Sequence, residues 1–149
     1  LNAFAHQPLW QNGLAFSHGT GHGVGCFLCV HEGPQRISNA TTGIPLLPGM
    51  IVSNEPGLYL ENHYGIRLEN LVLIQPAFTA AESLSGHGPF YRFTDLTLVP
   101  YARNLIDTAL LSKTEIAQIN DYHQQVYQVL HKDLSTGEGS WLQKATQPL

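Results

Sequence analysis

Three of the chain's eight histidines, His18, His22 and His31, fall within fourteen residues. Two carboxylates, Glu55 and Glu69, occupy strand-like positions flanked by apolar side chains. Imidazole and carboxylate groups together can ligate a hard-to-borderline divalent cation, and they are also common general acids and bases. A carboxylate on an apolar face is costly to desolvate unless it is paired, hydrogen-bonded or metal-bound. Each of these residues also has a plainer reading. Glu69 shares its predicted strand face with Arg67, so an ion pair would account for it. Glu55 precedes Pro56-Gly57 and could be a solvated turn carboxylate. His22 taken alone could be a core histidine satisfied by backbone groups.

Cys26 and Cys29 form a C-x-x-C pair. A redox pair of this kind normally opens a helix, and a zinc site needs a second pair. Residues 25–30 are apolar apart from these thiols and precede no helical pattern. Side chains three apart on a strand point to opposite faces. The sequence therefore predicts buried apolar packing for both cysteines.

The elements that must position these groups follow from pattern. Residues 1–12 read as a helix containing Pro8 and stopped by Gly13. Four glycines in residues 18–25 allow another group to approach the backbone closely. Residues 43–49 are turn material, and residues 50–54 form a short apolar strand ended by Glu55-Pro56-Gly57. Residues 64–74 alternate as one strand, with Ile66, Leu68, Val72 and Ile74 on one face. Residues 82–89 make a polar loop, and residues 91–99 a further strand closed by Pro100. Ser112 and Glu115 form a capping box for a helix from about Lys113 to Leu134, stopping near Gly137, with a short last helix around Trp141. Helix, antiparallel-type strands and then helices make an α+β chain.

Composition bounds the function. The chain's 149 residues suit one domain, and 43% hydrophobic residues suffice for a packed core. Charged residues make up 12%, against about 25% in ordinary soluble domains. That deficit fits either a tight, Gly-rich fold or a surface covered by further protein. A net charge of −4 argues against nucleic acid as a partner. No apolar run is long enough to span a membrane, and no secretory signal opens the sequence. The first residue, Leu1, suggests a fragment.

Four ordered motifs carry a family resemblance. Residues 18–25, His-Gly-Thr-Gly-His-Gly-Val-Gly, followed by Val30-His31-Glu32-Gly33-Pro34, resemble the histidine segment of the aminopeptidase P family, metallopeptidase family M24. Glu55-Pro56-Gly57-Leu58-Tyr59 and Gly65-Ile66-Arg67-Leu68-Glu69-Asn70 resemble its two glutamate segments. Residues 95–100, the Tyr122-His123 helix and the closing Thr146-Gln147-Pro148 extend the likeness over nearly the whole chain, nearest to the cytosolic, three-domain type.

The resemblance implies a pita-bread α+β fold, a curved antiparallel sheet with flanking helices. It implies two divalent metal ions, usually Mn²⁺, held by two Asp, one His and two Glu. By motif the metal ligands are His22, Glu55 and Glu69, and Glu55 doubles as general base. His31 matches the histidine that contacts substrate and stabilises the tetrahedral intermediate; His18 matches a position beside the substrate, and Arg67 one that hydrogen-bonds a metal-ligating Asp. The implied activity is hydrolysis of the N-terminal Xaa-Pro bond of peptides with proline second, by a cytoplasmic homodimer.

The chain departs from the family pattern in one respect. Residues 1–54 contain no Asp, and all four aspartates follow Glu69. Residues 1–149 are therefore expected to be the C-terminal part of the catalytic domain, supplying three of five ligands and inactive alone. Two other functions remain open: a prolidase-type dipeptidase, and a non-catalytic pita-bread binding protein.

Overall fold

Apolar alternation in two segments builds the sheet behind the candidate site. The structure, a computed structural model, describes residues 1–40 and 43–149. Strand β3 (Ile51–Asn54) and strand β6 (Asn70–Phe78) are antiparallel, in register Ile51↔Leu73, Val52↔Val72 and Ser53↔Leu71. Strand β7 (Phe90–Asp95) flanks β6 on its other side, giving the order β3-β6-β7. Their shared inner face buries Val52 and Val72 against Ile37, with Leu46 packed alongside. Each such side chain contributes about 1.5–3 kcal/mol on burial.

The glycine-rich segment lies on the edge of this sheet. Strand β1 (Gly21–His22) pairs with β2 (Arg36–Ile37), and a Gly23↔Val52 bridge fixes it to β3. A Cβ on Gly21 would overlap the Ser53 carbonyl oxygen, and one on Gly23 the Glu32 carbonyl oxygen. The glycines thus let the backbone of His22 lie directly against β3. A second hairpin pairs β4 (Gly57–Leu60) with β5 (Tyr64–Arg67), with Gly57 opposite Arg67. Helix α1 (Asn2–Trp10) contains Pro8 and buries His6, which stacks on Phe16 with ring centroids 3.8 Å apart.

Contacts divide the chain into two units, Leu1–Thr97 and Leu98–Leu149. The second unit contains α2 (Lys113–Leu130) and α3 (Thr136–Ala145). Both helices open on reciprocal capping boxes, Ser112 with Glu115 and Ser135 with Glu138. Tyr122, Val126 and Leu142 form its core, bordered by Leu98 and Tyr101. His123 is fully enclosed, and its Nε2 accepts a hydrogen bond from the Tyr101 amide at 3.0 Å.

The α+β reading holds, and four local expectations change. Residues 64–74 are two strands in different sheets. The chain leaves the hairpin at Leu68, whose amide donates to the Pro56 carbonyl, so Ile66 and Leu68 are exposed while Val72 and Ile74 are buried. The later strand ends at Asp95, not Val99. Helix α2 gives way to a 3₁₀ turn over His131–Asp133, and Gly137 lies inside α3 because the Ser135 cap starts a new helix before it. Cys26 and Cys29 are exposed, not buried. They bracket a tight turn in which Phe27 and Leu28 have φ of 51° and 66°, so the segment projects from the sheet instead of joining it. No helix among the described residues is long and apolar enough to cross a membrane.

Candidate functional site

Glu55 follows β3 directly, and its amide donates to the Thr20 carbonyl at 2.8 Å, which ties it to the segment leading into His22. The residue is 7% exposed, so its plainer reading as a solvated turn carboxylate does not hold. Ser53 Oγ donates to Glu55 Oε1 at 2.9 Å, and Arg67 Nη1 donates to Oε2 at 3.0 Å. The Arg67 partner is therefore Glu55, not the Glu69 that shared its predicted strand face. These bonds offset the desolvation of the carboxylate and fix the direction of both oxygens.

His22 stands opposite. Its Nδ1 lies 2.9 Å from the Gly23 carbonyl oxygen, which can only accept, so Nδ1 carries the proton and donates. That leaves Nε2 facing Glu55 Oε1 at 3.1 Å. Two such atoms at that separation need a proton or a metal cation between them. A histidine that donates from one ring nitrogen to a carbonyl while presenting the other is the usual arrangement for metal ligation. Bonds of about 2.0–2.2 Å to one ion would also leave two adjacent donors about 3 Å apart. His22 and Glu55 therefore fit a divalent cation as two members of its donor set.

The remaining candidates surround this pair. The His31 ring lies 4.4 Å from the His22 ring, centroid to centroid, and both line an open cavity of about 420 Å³ with Glu55 and Arg67. His18 also borders the cavity; its Nδ1 donates to the Gly19 carbonyl and its Nε2 accepts from Tyr59 Oη at 2.8 Å. Tyr59 Oη in turn accepts from Arg67 Nε at 2.8 Å. That bond is the main influence holding the Arg67 guanidinium above its ordinary range, with Glu55 and Glu69 adding to it. Glu69 is exposed and does not line the cavity. Among the described residues no group of three or more His, Cys, Asp or Glu side chains is placed to hold a metal. The chain brings together His18, His22, His31, Glu55 and Arg67, and leaves Glu69 outside.

Ser53 and Tyr59 also belong to the site through their bonds to Glu55 and Arg67, roles the sequence alone does not show. Ser53 carried a signal, a hydroxyl inside an apolar strand that needs a buried partner. Tyr59 carried none beyond its place in a motif, because its bridging depends on how β4 and β5 pair.

Residues 1–76 match metallopeptidase family M24, and residues 89–149 match the C-terminal region of peptidase_M24. A protein named "Probable Xaa-Pro aminopeptidase P" from Aspergillus flavus is 40% identical over all of this chain and 23% of its own length. One of the same name from Sclerotinia sclerotiorum is 42% identical over all of this chain and 25% of its own. The crystal structure of X-prolyl aminopeptidase from Caenorhabditis elegans, described as a cytosolic enzyme with a di-nuclear active site, aligns with a TM-score of 0.90 and 38% identity. It covers 99% of this chain and 24% of that one. The chain thus spans about a quarter of the length of the relatives it matches.

Proposed function

The chain belongs to metallopeptidase family M24, and on that footing we propose that it is the C-terminal part of the catalytic domain of an Xaa-Pro aminopeptidase. The observation that carries this reading is the His22 Nε2–Glu55 Oε1 approach of 3.1 Å, two potential ligand atoms converging beside a histidine-lined cavity. His22 and Glu55 would hold divalent ions, Mn²⁺ in this reading; Glu69 joins them on its motif position alone, since it lies outside the cavity, and two aspartates would come from the protein outside residues 1–149. When bound, such ions lower the pKa of a water molecule and polarise a peptide carbonyl.

The chain's own residues supply the rest. Glu55 accepts a proton from the attacking water at a carboxylate oxygen that Ser53 and Arg67 keep oriented. His31 donates a hydrogen bond to the developing oxyanion, a contact commonly worth about 3 kcal/mol. His18, held by Tyr59 and the Gly19 carbonyl, positions substrate at the cavity edge. Exposed apolar residues such as Phe4, Ile66, Leu68 and Phe78 are covered, in this reading, by the rest of the protein. The complete protein is proposed to be a cytoplasmic homodimer, its mass to be checked by sedimentation.

The test uses the complete protein with an Xaa-Pro tripeptide and the corresponding dipeptide. Release of the N-terminal residue from the tripeptide, lost on chelation and restored by Mn²⁺, is expected. Cleavage of the dipeptide alone would make the protein a prolidase-type enzyme, and cleavage of neither by metal-loaded protein would make it a binding protein. The 149-residue chain by itself should release nothing.

A further inference from the structure

The turn that leads to His31 carries two free thiols, Cys26 and Cys29, both exposed to solvent. The Cys29 amide donates to the Cys26 carbonyl at 3.0 Å, and both residues between them have positive φ. Such a hairpin-reversing turn keeps its outer Cα atoms within about 7 Å. Disulfide-bonded cysteines have Cα atoms about 4.4–6.8 Å apart. Phe27 and Leu28, at the tip, are 98% and 97% exposed, beside the two exposed cysteines. Beyond the turn the return arm is held by Gly25 N to Cys29 O at 2.8 Å and Glu32 N to Gly23 O at 3.0 Å. The thiol of Cys29 donates to the His31 carbonyl oxygen at 3.8 Å.

We propose that Cys26 and Cys29 are a reversible dithiol–disulfide site that exchanges with small disulfides of the glutathione class, and that closing it alters the surroundings of His31. One cysteine sulfur, deprotonated, attacks a sulfur of the small disulfide; that S–S bond breaks, and one small thiol leaves and takes up a proton. The second cysteine then attacks the protein sulfur of the mixed disulfide and releases the other small thiol. Two protein S–H groups are oxidised and one small disulfide is reduced to two thiols. A bond across an exposed turn with two non-glycine residues at positive φ belongs to the labile class, not the structural one. In a reducing compartment such a bond is transient. Closure removes the Cys29 S–H, so the His31 carbonyl loses that donor. The significance of His31 rests on the proposed function, whereas the thiol chemistry does not.

The experiment equilibrates the complete protein in glutathione buffers of increasing oxidised fraction, alkylates the remaining thiols and weighs the proteolytic peptide that carries Cys26 and Cys29. That peptide lacking two hydrogens, resistant to alkylation and restored by dithiothreitol, is expected. Accumulation of only glutathione adducts or interchain dimers, or thiols that stay fully alkylatable, would overturn the proposal. Cys29→Ser should stop at one glutathione adduct on Cys26; loss of two hydrogens in that variant would equally overturn it. The His31 ring proton resonance, assigned with His31→Gln, should move between the reduced and closed forms. An unmoved resonance would overturn the coupling to His31. None of these readings uses peptidase activity, so the proposed function can fail without them.

Discussion

Arg67 Nη1 lies 3.0 Å from Glu55 Oε2, twelve residues earlier in the chain, and makes no ion pair with Glu69 among the described residues. The β4–β5 hairpin causes this: its register sets Arg67 opposite Gly57, which brings the guanidinium back beside the carboxylate that precedes the hairpin. The same guanidinium donates from Nε to Tyr59 Oη, so one planar fork braces both Glu55 and the tyrosine that holds His18. With Oε2 occupied, Oε1 is left to face His22.

Under the proposed function, Arg67→Met in the complete protein should lower kcat/KM by about 10–100-fold, the usual cost of losing a group that orients a metal ligand. Arg67→Lys should not restore it, because a single ammonium cannot reproduce the fork that reaches Glu55 and Tyr59 together. Steady-state kinetics at saturating Mn²⁺ check both; full activity in the lysine variant would show that charge alone suffices.

With the oxyanion-donor role proposed for it, His31→Ala in the complete protein should lower kcat by about 10²–10³ while metal content stays unchanged. Kinetics beside elemental mass spectrometry decide the point. Lost metal would make His31 a ligand, and unchanged kcat would make it a structural residue.

Burial, with the nearby Arg103 charge, holds the His123 imidazole below its ordinary range. The neutral ring accepts from the Tyr101 amide in the folded chain. The unfolded chain takes up this proton first as pH falls below about 6.5. Stability from this site is thus fully present above that pH and declines below it, until the folded-state histidine titrates as well. The slope cannot exceed about 1.4 kcal/mol per pH unit. Urea unfolding from pH 7.5 to 5 should show the decline, and His123→Gln should flatten it. Parallel curves for the two proteins would refute the assignment.

Local chemistry was legible where a side chain's role is set by its sequence neighbours. Ser112 and Glu115 marked the start of α2 because a capping box closes within one turn. Glu55 stood out as an acid at the end of an apolar strand, where burial demands partners. The division of residues 64–74 was not legible, since alternation reports a strand's faces and not the sheet it joins. The exposed turn at Phe27 and Leu28 was hidden for a related reason. Neither residue is a glycine or asparagine, so nothing in the sequence announced positive φ at both. Tyr59 was missed because its contacts span β4 and β5 and return to His18, a purely tertiary arrangement.

In the proposed function Glu55 is both a ligand and the proton acceptor of a metallopeptidase site. Glu55→Gln keeps the side chain's shape and its bond from Ser53 but removes the charge and the base. The decisive measurement is kcat of this variant of the complete enzyme on an Xaa-Pro tripeptide at saturating Mn²⁺, with circular dichroism to confirm the fold. An intact fold with turnover at least about 10²-fold down is expected, the lower end of what a general base commonly contributes. A folded variant that retained more than about a tenth of wild-type kcat would contradict it.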